Sequence, residues 1–194
     1  MKLPPLILAS NSPRRSELLR SLGFEFTVVP SDAAEAHTEE LTAAEISQLN
    51  AYRKARAVAK KHPDALVLGA DTIVALDTTL FGKPRNREEA YRMLKQLQGR
   101  THRVVTGVCL LHLRSHRQKL FADATDVTFR PLDAKQIRNY LSAINPLDKA
   151  GAYAIQEGGE KIVESIFGSF TNVVGLPVER LRAELERWEN VAPI

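Results

Sequence analysis

The apolar run Leu6-Ile7-Leu8-Ala9 passes within three residues into Ser12-Pro13. A short, wholly apolar run reads as a buried strand, while serine before proline supplies an N-cap and a first helical residue that needs no N–H partner. A strand therefore feeds directly into a helix. That junction constrains the chain more than any other feature, because strands alternating with helices build α/β layers.

The remaining punctuation extends the pattern. Leu18, Leu19 and Leu22 give the first helix an apolar face, Gly23 is placed to stop it, and Phe24, Phe26 and Val28 alternate as the next strand. Thr42-x-x-Glu45 is a capping-box signal for a second helix reaching to about Lys61, with Ile46, Leu49, Arg53 and Ala57 on one stripe and Lys54 beside it. Leu66-Val67-Leu68 is a short strand ending in Gly69-Ala70-Asp71-Thr72. Ile73 to Leu76 either continue or restart it towards a turn at Asp77-Thr78-Thr79. Asn86-x-x-Glu89 opens a third helix with Ala90, Met93, Leu94 and Leu97 inside and Gly99 at its end. Val104 to Leu113 and Leu120 to Phe129 form a hairpin, Asp133 to Ser142 a fourth helix, and Pro177 precedes a last helix carrying Leu181, Leu185 and Trp188. The expected fold is α/β: a mixed sheet with helices packed on it, not a pure doubly wound one.

Composition excludes several classes. The chain is 44% hydrophobic and 26% charged, which suits a packed interior and argues against disorder. Cys109, the single cysteine, lies in an apolar run and is placed as a small buried hydrophobe; a cytoplasmic setting is the default. Residues 1–9 are too brief for a signal peptide, and no apolar stretch approaches the roughly 20 residues of a membrane span. The 27 basic residues exceed the 23 acidic ones by four, favouring an anionic ligand. They are too scattered for a nucleic-acid face, so no stable nucleic-acid or membrane partner is expected.

Four segments could carry chemistry. In Ser10-Asn11-Ser12-Pro13-Arg14-Arg15, free N–H groups at a helix start and two guanidinium forks suit phosphate oxygens; paired surface arginines bound to nearby carboxylates are the alternative. Asp71, inside an apolar segment, either caps a turn or points into a cleft, where it could hold a divalent cation or take a proton from water, with Glu35, Glu39 or Glu40 completing an oxygen site. Lys83, fixed between Gly82 and Pro84, and Lys54, on the second helix, could neutralise charge from two directions or be solvated. The Gly-rich run from Gly151 to Gly159 brings backbone close to a flat ligand, and Gln156 offers a donor and an acceptor to a base edge, although a tight structural turn explains the glycines as well. His102, His112 and His116 lack zinc spacing and read as ordinary surface residues.

In their order and separation, these segments resemble the Maf family of nucleoside triphosphate pyrophosphatases, once labelled septum-formation proteins. The markers are Leu8-Ala9-Ser10-Asn11-Ser12-Pro13-Arg14-Arg15, Leu68-Gly69-Ala70-Asp71-Thr72-Ile73-Val74, Phe81-Gly82-Lys83-Pro84, His102 to Val108, Thr125 to Phe129, Asp148 to Tyr153, and Asn172-Val173-Val174-Gly175-Leu176-Pro177. The resemblance implies one domain over residues 1–194, with two lobes, a central cleft and an elongated mixed sheet similar to that of inosine triphosphate pyrophosphatases, commonly assembled as a homodimer. It implies cleavage between the α and β phosphates. The family's essential aspartate falls on Asp71, its phosphate-binding residues on Ser10, Arg14, Arg15, Lys54 and Lys83, and its early acidic residue on Glu35, in the stretch from Asp32 to Glu40.

The subgroup specific for dTTP and UTP has arginine at Arg14, threonine at Thr72 and glutamine at Gln156, which points to a pyrimidine nucleoside triphosphate and away from the subgroup associated with 7-methyl-GTP. Ala154 and Glu157 stand where the pyrimidine subgroup usually has glycine, and Glu157 puts negative charge beside the base-reading segment. The implied reaction uses Mg²⁺ or Mn²⁺ held by Glu35 and Asp71. The alternatives are the same reaction on a broader or methylated-purine set, or a non-catalytic nucleotide-binding regulator of division.

Overall fold

The computed structural model describes residues 3–36, 38 and 40–190, the side chains of Glu189 and Asn190 excepted. Glu39 lies outside the described residues. In chain order the elements are β1 (Leu6–Leu8), α1 (Pro13–Ser21), β2 (Phe26–Val28), α2 (Ala43–Ala59), β3 (Leu66–Leu76), β4 (Thr79–Phe81), α3 (Arg87–Leu97), β5 (Thr101–His112), β6 (Arg117–Phe129), α4 (Ala134–Ala143), three short 3₁₀ turns between Pro146 and Lys161, β7 (Val163–Phe167), α5 (Phe170–Val174) and α6 (Val178–Asn190). One seven-stranded sheet has the order β2-β1-β3-β5-β6-β7, with β4 paired to β3. It is mixed: β1 runs parallel to β2 and β3, while β4 is antiparallel to β3 and β7 to β6.

The chain divides into two compact units, and the division falls inside β3, β5 and β6. The first comprises residues 1–71, 106–123 and 175–194. Both faces of β1, and of the parts of β3 and β5 in this unit, are covered, which is why these read as continuous apolar runs instead of alternating ones. Leu6, Leu8, Leu66, Leu68, Val108 and Leu110 join Leu19 of α1 and Leu181, Leu185 and Trp188 of α6 in one core. Ile7, Ala9, Val67, Cys109 and Leu111 pack with Ala51, Ala55 and Val58 of α2 in another. Burial pushes the Cys109 thiol up to about 12, so it is the inert apolar residue its surroundings suggest.

The helix signals hold. Ser12 caps α1 with proline following, and Thr42 and Glu45 close a reciprocal capping box on α2. The buried stripe of α2 differs from the expected one, however. Ile46, Ser47, Asn50, Ala51, Ala55, Val58 and Ala59 face inward, whereas Arg53 is exposed. Size decides this. A Cβ on Gly69 would overlap the carbonyl oxygen of Ala51, and one on Gly107 would overlap the backbone of Ser47 and Gln48. The helix backbone therefore lies directly on two strand glycines, a fit open only to its small-residue face.

The second unit comprises residues 72–105 and 124–174. Its core gathers Phe81, Leu94, Leu97, Val127, Phe129, Ile137 and Tyr153. His102, expected on the surface, is buried: its ring packs edge-on against Phe129 and Tyr153, and Nε2 lies 2.9 Å from the Tyr153 hydroxyl. Alternation along β5 turns it inward while Thr101 and Arg103 face out. Sequence reading did not find β4, β7 or α5, each five residues or fewer. Among the described residues no helix is long and apolar enough to cross a membrane.

Candidate active site

Asp71 stands within β3, not at its end, because the strand continues unbroken from Leu66 to Leu76. It caps no turn. Its side chain is satisfied from α2: Lys54 Nζ lies 2.7 Å from Oδ1, and Asn50 Nδ2 donates to Oδ2 at 3.0 Å. Asn50 and Lys54 are four residues apart and so share one side of the helix, and the contact at Gly69, two residues before Asp71, sets that side against the strand. Asp71 is 5% exposed. A buried carboxylate needs such partners, since leaving it unpaired costs several kcal/mol, on the order of 3–5.

Lys54 Nζ is also 2.7 Å from Glu35 Oε1. One ammonium thus bridges two carboxylates, and its own side chain is 12% exposed, which removes the solvated-surface alternative for this lysine. Asp32 is exposed and pairs with Lys61 at 3.8 Å, and Glu40 is exposed; among the described acidic residues from Asp32 to Glu40, Glu35 alone meets the Asp71 cluster.

Asn50, which nothing in the sequence singles out, completes the arrangement. It accepts a bond from Ala36 N at 2.7 Å and donates to Ala36 O at 3.2 Å. An asparagine inside a helix carries no local signal, so only the fold could reveal it.

The α1 start forms the second part. Ser12 Oγ accepts from Arg15 N at 3.4 Å, Ser10 Oγ accepts from Ser12 N at 3.1 Å, and Arg15 Nη1 donates to Ser10 Oγ at 3.4 Å. Arg15 Nε donates to Gly175 O at 2.8 Å. Gly175, at φ 125°, occupies a backbone region that favours glycine. Desolvation lowers the Arg15 pKa, while the charges of Asp71 and Glu35 raise it and Arg14 opposes it. Arg14 is half-buried on α1.

These residues lie in the first unit. In the second, Thr72 is half-buried in β3, Lys83 is exposed after β4, and Gln156 is exposed in the turn region before Gly158. Glu157 meets a counter-charge: Lys149, 4% exposed, places Nζ 3.2 Å from its Oε1 and 2.9 Å from Asp148 Oδ1. Glu157 and Gly158 help line a groove of about 550 Å³ with Tyr140 and Lys161; Gln156 is not among its lining residues.

Among the described residues no three histidine, cysteine or acidic side chains gather as a metal cluster. Glu35 and Asp71 are a pair of hard oxygen donors within reach of one cation. That pair fits magnesium or manganese, which take one or two carboxylates and draw other ligands from water and phosphate. It does not fit zinc.

The fold is thus a mixed α/β one that sets a lysine-bridged carboxylate pair beside an arginine-bearing helix start. The chain belongs to the Maf-like protein family, whose model matches residues 5–188. It is 44% identical over 183 residues to a dTTP/UTP pyrophosphatase of Carboxydothermus hydrogenoformans, covering 94% of this chain and 98% of the relative. It is 46% identical over 176 residues to one of Akkermansia muciniphila, covering 91% and 92%. A further relative of that name, from Bacillus velezensis, is 45% identical over 184 residues, covering 94% and 96%. A solved HAM1 protein from Coxiella burnetii shares the fold at TM-score 0.53 and 14% identity, covering 95% of this chain and 100% of the other.

Proposed function

We propose that this chain hydrolyses dTTP and UTP between the α and β phosphates, releasing nucleoside monophosphate and diphosphate. The observation that carries the reading is the bridge of Glu35, Lys54 and Asp71, with Lys54 Nζ 2.7 Å from each carboxylate, beside Arg15. The names of the relatives support it.

Phosphoryl transfer asks a protein mainly to position groups and stabilise charge. Arg15, oriented by the Gly175 carbonyl, presents its fork to phosphate oxygens with Ser10 beside it. Arg14, Lys54 and Lys83 supply further positive charge, Thr72 follows Asp71 as in the pyrimidine subgroup, and Gln156 reads the uracil or thymine edge. Glu35 and Asp71 would hold the divalent cation, with Asp71 either ligating it or taking the proton of the attacking water. The cation, when bound, offsets triphosphate charge and polarises the phosphoryl group. A homodimer, a single domain with two lobes and a cytoplasmic setting belong to the same proposal, resting on the family resemblance.

A panel of nucleoside triphosphates, including 7-methyl-GTP, assayed with Mg²⁺ and with Mn²⁺ and with phosphate and diphosphate measured separately, tests the reading. Diphosphate release fastest from dTTP and UTP is expected, and Asp71→Asn should reduce it about 10³-fold or more. An inert panel with retained nucleotide binding would mark a regulator instead, and preference for the methylated purine would shift the substrate class.

A further inference from the structure

We infer that Asn50 is a positioning residue that sets the spacing of Glu35 and Asp71, an inference that rests on the function proposed above.

Asn50 is 1% exposed and makes three bonds with one amide group. Its Oδ1 accepts from Ala36 N at 2.7 Å, while Nδ2 donates to Ala36 O at 3.2 Å and to Asp71 Oδ2 at 3.0 Å. The first two bonds clamp the backbone next to Glu35, in a segment without regular secondary structure. The third fixes the oxygen of Asp71 that Lys54 does not hold. One rigid side chain thereby joins the acidic loop to the acidic strand.

The anchor beneath it is firm. Asn50 is flanked on α2 by Ala51, whose carbonyl oxygen seats against Gly69. Lys54 cannot substitute for it, since an ammonium at the end of a four-carbon chain follows the carboxylates wherever they lie, whereas a short planar amide with donor and acceptor fixed in one plane dictates their places. Residues that orient ligating or reacting carboxylates typically change activity or metal affinity by about 10- to 100-fold when replaced.

Asn50→Leu removes all three bonds at similar volume, and Asn50→Asp keeps the acceptor for Ala36 N while losing both donors. Both should lower kcat about 10- to 100-fold with KM for UTP changed less than about 3-fold. Exchange of the Ala36 amide hydrogen should accelerate in the leucine variant and remain near the parent rate in the aspartate variant. Mn²⁺ titrated by electron paramagnetic resonance should bind the leucine variant about 10-fold more weakly than the parent. If both variants keep kcat within about 3-fold of the parent while Asp71→Asn is inactive, the inference fails and the proposed function stands. If Asp71→Asn itself turns over normally, the proposed function falls and takes the inference with it.

Discussion

Lys54 and Asp71 meet at 2.7 Å between Nζ and Oδ1, and the same ammonium serves Glu35 at 2.7 Å. A positive charge so placed stabilises two carboxylates that would otherwise repel, and it would compete with a divalent cation for that pair. Substrate phosphate gives it a competing partner.

Lys54→Met should therefore act in two opposite directions. Turnover should fall about 10²-fold through loss of a phosphate donor, while Mn²⁺ in the absence of nucleotide should bind about 10-fold more tightly. Electron paramagnetic resonance of free Mn²⁺ during titration reads the second effect. Weaker Mn²⁺ binding would show that Lys54 helps to build the cation site and does not compete for it.

The glycine contacts predict a severe steric mutant. Gly69→Ala forces a methyl group onto the Ala51 carbonyl oxygen, which is backbone and cannot swing aside. We expect a loss of about 3 kcal/mol or more in urea unfolding, because overpacking against a fixed backbone exceeds the usual cost of an extra methylene. A stability change below about 1 kcal/mol would mean that α2 can slide on the strand.

His102 makes the second unit sensitive to acid. Burial lowers its pKa from 6.5 to about 4, partly opposed by the charge of Asp126. The unfolded chain therefore binds the extra proton first, and stability present above pH 6.5 is lost as pH falls towards 4. The loss approaches about 3 kcal/mol. His102→Leu should flatten that part of the pH dependence, measured as urea midpoints between pH 7 and pH 4; an unchanged slope would remove His102 as its source.

Glu157 departs from the glycine usual in the pyrimidine subgroup, yet its charge is shared with the buried Lys149 at 3.2 Å. Asp148 holds the same ammonium at 2.9 Å, so Glu157→Gln leaves Lys149 a counter-charge. Relative kcat/KM for UTP and dTTP should change by less than about 3-fold, and stability by less than about 1 kcal/mol, as expected for a partly exposed pair. A strong shift between the two nucleotides would show that the carboxylate acts on the base directly.

Much of this protein is written locally. Ser12-Pro13, Thr42 with Glu45, and Asp133 each name a helix start, because a cap is a bond between residues two or three apart and needs nothing distant. Apolar runs name β1 and the 66–68 and 108–111 stretches of β3 and β5, because burial on both faces leaves no polar position to interrupt them. Asp71 stands out for the same reason, as a charge in a run that tolerates none without partners.

Who those partners are is not local. Lys54, Asn50 and Glu35 lie 17, 21 and 36 positions before Asp71 in the sequence. They meet it only because glycines at 69 and 107 let α2 settle backbone to backbone on the sheet. Hydrophobic periodicity chose a different face of that helix, since it weighs apolarity and is blind to size. The burial of His102 and the pairing of Glu157 with Lys149 were likewise decided by packing, where a contact depends on shape and distance that no sequence neighbour records.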